Sequence, residues 1–148
     1  MMKKIALGSD HAAYEMKETV KRLLLSQNFE VIDVGTHSCD RVDYPDYAKL
    51  VSHEVVTQNI QGILLCGSGI GVSIVANRFK GIRAALCRTP EDAEMARKHN
   101  DANVLCLGAR FNTEEEIKKI ISSWFENSFE GGRHTDRLNK FSDLGEDC

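Results

Sequence analysis

The chain has 148 residues, 42% of them hydrophobic and 28% charged, enough apolar material for one compact domain with a sizeable core. A net charge of -3 and a pI near 5.9 exclude bulk electrostatic attraction to nucleic acid. No apolar run approaches the roughly 20 residues of a membrane helix, and the apolar part of "MMKKIALGSDH" is too short for the secretory core of about 7–15 residues, so a cytoplasmic protein is expected.

The first run, "KKIALGS", reads as a strand and is followed by helical periodicity in "AAYEMKETVKRLLLSQN". Asp10 and His11 stand at that junction. Ser9 or Asp10 serves there as a helix cap, or the pair faces a ligand at the carboxyl end of the strand, where α/β folds bind. "EVIDVG" predicts a second strand, and the polar loop "DVGTHSCDRVDYPDYA" leads past Tyr44 into a helix over "PDYAKLVSHEVVTQN".

The third strand runs into "GILLCGSGIGVSIVANRF". Gly67, Gly69 and Gly71 have G-x-G-x-G spacing, which is not the dinucleotide fingerprint, and no Lys-Ser/Thr pair makes a Walker A loop. A cysteine-phosphatase loop needs an arginine where this chain has Val72. What remains is a turn, Gly67 to Gly71 and including Ser68 and Ile70, whose backbone N–H groups can point at a ligand oxygen. A helix N-terminus favours the anionic form of a nearby thiol such as Cys66. That pairing suits nucleophilic catalysis or proton abstraction beside a carbonyl. The segment alone equally describes a buried core cysteine before a tight turn.

"IRAALC" predicts the fourth strand, and "TPEDAEMARKHN" a helix with Thr89 as cap and Pro90 at its first position. His99 and Asn100 end that helix, where a histidine also complements the macrodipole. "NVLCLGA" is the fifth strand, with Arg110 just after it, and Thr113 and Glu116 have capping-box spacing ahead of "IKKIISSWFEN". The tail "FEGGRHTDRLNKFSDLGEDC" predicts a short helix after Gly131 and Gly132, with Arg133 and Arg137 one turn apart on one face. Arginines early in a helix oppose its dipole. A phosphate would favour them there; a solvated face is the competing explanation.

Strand alternating with helix implies parallel strands joined by right-handed crossovers. The expected fold is a Rossmann-like, three-layer α/β/α sandwich, with a mainly parallel sheet of about five strands and a C-terminal helical tail, in a single domain over residues 1–148. Cys39, Cys66, Cys87, Cys106 and Cys148 are odd in number and lack a CxxC pair, as free thiols in a reducing compartment would be. No pair of cysteines or histidines has structural-zinc spacing, so no metal is expected.

In combination, "GSDHAAYEMK", "VGTHS", "DYPDYA", "GILLCGSGIGVSIVANRFKGIRAALC", "RKHNDANVLCLGAR" and "EGGRHTDR" closely resemble the type B ribose-5-phosphate isomerases, grouped with galactose-6-phosphate and allose-6-phosphate isomerases. The resemblance runs over nearly the whole chain, in order and in register. It implies an aldose-ketose isomerase of ribose 5-phosphate and ribulose 5-phosphate, in the non-oxidative pentose phosphate pathway, with no cofactor. Cys66 resembles the base that moves a proton between C1 and C2 through a cis-enediolate. The turn Gly67–Gly71, with Ile70 in it, resembles the cradle for the enediolate oxygens, with the Ser68 hydroxyl assisting. His99 resembles the ring-opening residue, and Asp10 an orienter of the sugar. The resemblance implies that Tyr44 and Asn100 line the sugar site, while His11, Arg110, Arg133 and Arg137 resemble a phosphate clamp. The resemblance also implies a homodimer with shared active sites, or a tetramer of such dimers.

Ser68 stands where many members with a catalytic cysteine carry threonine; serine keeps the hydroxyl and loses a methyl. Val72 stands where some members carry a glutamate base, leaving Cys66 as the candidate. Galactose-6-phosphate isomerase subunits typically lack the cysteine, so its presence favours the pentose phosphate. An isomerase of a six-carbon sugar phosphate, such as allose 6-phosphate or galactose 6-phosphate, is the alternative within the class. A non-catalytic sugar-phosphate-binding module is the alternative outside it.

Overall fold

The structure is a computed structural model that describes residues 2–148. Its strands are β1 (Lys3–Ser9), β2 (Phe29–Gly35), β3 (Gln61–Cys66), β4 (Ala84–Leu86) and β5 (Val104–Gly108). They form one parallel sheet in the order β2-β1-β3-β5-β4. The helices are α1 (Tyr14–Ser26), α2 (Tyr44–Gln58), α3 (Ile70–Ala76), α4 (Pro90–Asn100), α5 (Glu114–Glu126) and α6 (Arg133–Asn139). The three-layer sandwich and the tail helix expected from the sequence are both present.

The strands read as near-continuous apolar runs because both faces of the sheet are covered. Ile5, Leu7, Ile63, Leu65, Leu105 and Leu107 pack on one side with Val20 and Leu24 of α1, Ala93 of α4 and Trp124 of α5. On the other side Ala6, Leu64, Cys66 and Cys106 meet Ala48, Val51 and Val55 of α2 and Val72 of α3. Local signals placed the helix starts well. The Thr89 side chain accepts from Asp92 N–H at 3.1 Å, and Thr113 and Glu116 form the reciprocal box.

The most deeply buried charge, Lys17, enters the core without any sequence signal. Lys17 is fully buried, and its Nζ lies 2.6 Å from Asp33 Oδ2 and 3.0 Å from Glu18 Oε1. Burial alone would raise the Asp33 pKa. The Lys17 hydrogen bond, the Gly35 N–H and Lys21 outweigh it, and the carboxyl stays below its usual value. A depressed carboxylate stabilises the fold above its unfolded pKa of about 3.9, and that contribution is lost as pH falls through the lower folded value. Lys17→Ala should cost about 3 kcal/mol in urea unfolding, at the low end for a broken buried pair because Lys21 remains 3.1 Å from Asp33. A loss under about 1 kcal/mol would mean that the pair is energetically idle.

Candidate active site

The strand order reverses between β1 and β3: the chain leaves β1 for β2 on one side, then crosses back to β3 on the other. Such a switch point opens a crevice at the carboxyl ends of the two strands. Ser9 pairs with Leu65 in register, so Asp10 and Cys66 emerge side by side. They line a cleft of about 540 Å³ together with His11, Tyr44, Gly67, Ser68, Ile70, Gly71 and Arg110.

Within the cleft the Gly turn wraps around the sulfur. Cys66 is buried, 5% exposed, and its Sγ accepts the Gly69 N–H at 3.1 Å. A backbone N–H aimed at sulfur is a contact that a thiolate accepts better than a thiol. Gly69 has φ of 77°, and a Cβ there would stand 2.8 Å from the Leu107 backbone, so only glycine fits. At Gly71 a Cβ would lie 2.5 Å from the Tyr44 ring, which is how the start of α2 closes over the turn. Ser68 Oγ accepts the Ile70 N–H at 3.1 Å and keeps its own proton to donate. Arg110 is tied back by its N–H to Gly67 O at 2.9 Å, and its guanidinium lies against Gly67.

Asp10 does what a helix cap does: its Oδ1 accepts from Ala13 N–H at 3.3 Å. It nevertheless lines the cleft, so capping and ligand binding are compatible. His11 Nδ1 lies 3.1 Å from both the N–H and the carbonyl of Val42. When the ring accepts that N–H, its proton sits on Nε2; when it is protonated, Nδ1–H turns to the carbonyl. Both forms present an Nε2–H donor suited to an anion.

The remaining candidates lie elsewhere. Gly62 pairs with Val104 and Cys66 with Gly108. Because α4 leads straight into the start of β5, His99 and Asn100 sit at the amino edge of the sheet, about 13 Å from Cys66 along the strands. They form a second cluster with Arg133 and Arg137, both exposed on α6. The expectation that ligand chemistry gathers at the carboxyl edge therefore covers Asp10, His11, Tyr44, Cys66, Ser68 and Arg110. It does not cover His99, Asn100, Arg133 and Arg137, which one chain does not bring to the same cleft.

That second cluster contains two residues not singled out from the sequence. The His134 ring stacks on His99 with centroids 4.4 Å apart and planes at 19°, and Glu130 Oε1 lies 3.4 Å from His99 Nε2. Ligand-type atoms of the three residues lie within 4.8 Å of one another, a grouping that sequence spacing could not reveal. The two stacked rings keep their lone pairs in separate, near-parallel planes, so they do not converge on one tetrahedral ion. Loss of hydration, then the charges of His99, Arg133 and Arg137, hold the His134 imidazole below the usual histidine range against the opposing pull of Glu130.

Arg88 follows β4 much as Arg110 follows β5. Its guanidinium covers the Phe111 ring at 4.2 Å, and its Nη1 is buried with no hydrogen-bond partner among the described residues. All five cysteines are free, as their odd number suggested.

Comparison with known proteins places this geometry. The Ribose/Galactose Isomerase family pattern matches residues 5–141. Ribose-5-phosphate isomerase B of Escherichia coli is 46% identical over 138 residues, 93% of each chain. A ribose 5-phosphate isomerase structure from Thermotoga maritima superposes with a TM-score of 0.94 at 48% identity, covering 97% of this chain and 100% of that one. The structure of ribose-5-phosphate isomerase B from Mycoplasma genitalium with bound ribulose-5-phosphate is similar at a TM-score of 0.92 and 40% identity, covering 96% of each chain.

Proposed function

The chain belongs to the ribose/galactose isomerase family, and on that premise we propose that it interconverts D-ribose 5-phosphate and D-ribulose 5-phosphate. The observation that carries the reading is the Cys66 sulfur, held by the Gly69 N–H at 3.1 Å in a cleft shared with Asp10 and Arg110. In this reading the thiolate takes the C2 proton of the open-chain aldose. The electron pair forms the C1–C2 double bond of a cis-enediolate, and charge develops on O1. The thiol then returns the proton to C1, the O2 proton passes to O1, and C2 becomes the ketone. The N–H groups of the Gly67–Gly71 turn and the Ser68 hydroxyl stabilise the developing oxyanion. Asp10 orients the sugar, Tyr44 and Ile70 wall it, and no cofactor takes part.

His99 opens the furanose ring, and Asn100 holds the sugar beside it. His11, Arg110, Arg133 and Arg137 clamp the phosphate. Since the two clusters occupy opposite edges of one chain's sheet, the site is completed by His99, Asn100, Arg133 and Arg137 of a second copy. The working unit is thus a homodimer with shared sites, alone or paired into a tetramer. Each protomer is one domain over residues 1–148. The reading places the enzyme in the cytoplasm, in the non-oxidative pentose phosphate pathway. No helix among the described residues is long and apolar enough to cross a membrane.

The direct test is appearance of ketose from ribose 5-phosphate with pure protein and no added metal. Conversion of allose 6-phosphate at higher kcat/KM would move the substrate to the six-carbon class. Binding without conversion would leave a sugar-phosphate-binding module. Arg137→Ala should weaken ribose 5-phosphate binding about 10- to 100-fold, from the roughly 1.5–3 kcal/mol of a charge-assisted hydrogen bond. Unphosphorylated ribose should be a poor substrate and lose little further on that substitution. Equal damage to both substrates would make the arginine structural and leave the phosphate to His11 and Arg110.

A further inference from the structure

We infer that Glu130 and His134 are positioning residues for His99, holding its imidazole in one orientation with one nitrogen free for the sugar. The inference rests on the ring-opening role proposed for His99. Glu130 is anchored to the same helix end that carries His99: its N–H donates to Lys98 O at 3.0 Å. Its carboxylate then reaches the Nε2 edge of the ring at 3.4 Å, a distance that closes readily on substrate binding. His134 is buried, and its ring covers one face of the His99 imidazole at 4.4 Å. One edge and one face of His99 are therefore occupied by protein. The opposite edge, Nδ1, is left to the ligand.

Ring opening relocates one proton. His99 Nδ1 takes it from the anomeric O1 as the C1–O1 double bond forms and the C1–O4 bond breaks. The same proton is then delivered to O4. The imidazole passes from neutral to cationic and back. A carboxylate on Nε2 accepts the same N–H in both forms, selects the tautomer whose Nδ1 is basic, and stabilises the transient cation. Loss of hydration and the neighbouring positive charges lower the His134 pKa against the pull of Glu130, so the stacked ring competes less with His99 for a proton. Arg133 and Arg137 beside it remain available to the phosphate.

The test compares Glu130→Gln, His134→Ala, His134→Phe and His99→Asn in the assembled enzyme. Two activities are read: turnover of ribose 5-phosphate, mostly a furanose, and solvent-proton exchange at C1 of ribulose 5-phosphate, which has no comparable five-membered ring to open. Glu130→Gln and His134→Ala should lower kcat on ribose 5-phosphate about 10- to 100-fold. KM should stay within about twofold, and exchange near wild type. His134→Phe keeps an aromatic face and should recover most of the turnover lost in His134→Ala. The inference fails if His99→Asn slows ribose 5-phosphate while Glu130→Gln and His134→Ala do not. It also fails if those two depress exchange and turnover alike, which is what a purely structural role would do. If His99→Asn keeps full turnover of ribose 5-phosphate, the ring-opening role and this inference fall together.

Discussion

Cys66→Ala should abolish isomerisation, with a loss of at least about 10²–10⁴-fold, the usual contribution of a positioned acid–base group. Binding of the sugar phosphate should survive, since the proposed phosphate clamp of His11, Arg110, Arg133 and Arg137 does not include the sulfur. The fold should survive too. The substitution removes one sulfur from the buried wall of the cleft and one hydrogen bond from the Gly69 N–H, worth about 1 kcal/mol. A variant with near-normal turnover would move the base elsewhere.

Alkylation gives the complementary measurement. Burial and then the Asp92 charge push the Cys87 thiol up to about 12, and burial holds Cys106 well above the ordinary thiol value. Both stay protonated near neutral pH and should remain unlabelled in the native protein. Cys39 and Cys148 are exposed and should label with or without ligand. Cys66 alone should be protected by ribose 5-phosphate, as read by peptide mass. Equal labelling of Cys66 in both conditions would remove it from the site.

Mixing two inactive variants should restore activity. On the proposed roles and dimer, Cys66→Ala removes the base from both sites, and His99→Asn removes the ring-opening group from both. If each site takes its cysteine from one subunit and its histidine from the other, the mixed dimer contains one site with both residues intact. Random re-pairing of equal amounts should then recover about a quarter of wild-type turnover of ribose 5-phosphate. In a site built within one chain, every site of the mixture carries one lesion, and no activity returns. This outcome decides whether the second cluster, with Asn100, Arg133 and Arg137, works in trans.

The positions of the elements were legible in the sequence because their causes are local. Hydrophobic period, the Thr89 and Thr113 caps and the Gly131-Gly132 break act within a turn or two of the residues they govern. The Cys66 turn was legible for the same reason: strand, cysteine, glycines and helix follow one another directly, so their chemistry is contiguous. Asp10 and His11 could be placed beside it once parallel strands were inferred, because each follows a strand at the same edge.

What the sequence left open depends on how the chain returns and what it packs against. The order β2-β1-β3-β5-β4 places β5, with all five residues buried, inside the sheet, and leaves the three-residue, half-buried β4 at the edge. A longer and more apolar strand gains more from having neighbours on both sides, and a short edge strand exposes fewer unpaired backbone groups. Helix α4 has 11 residues, which carry the chain about 16 Å back across the sheet. That return sets His99 at the amino edge, away from Cys66, and brings it under Glu130 and His134 from the far end of the chain. Such contacts arise from packing between distant segments, which no local pattern encodes. Residue identities alone thus determined the fold class and the contiguous Cys66–Gly71 turn, whereas tertiary structure decided that the candidate residues are divided between two edges of the sheet and that Glu130 and His134 lie against His99.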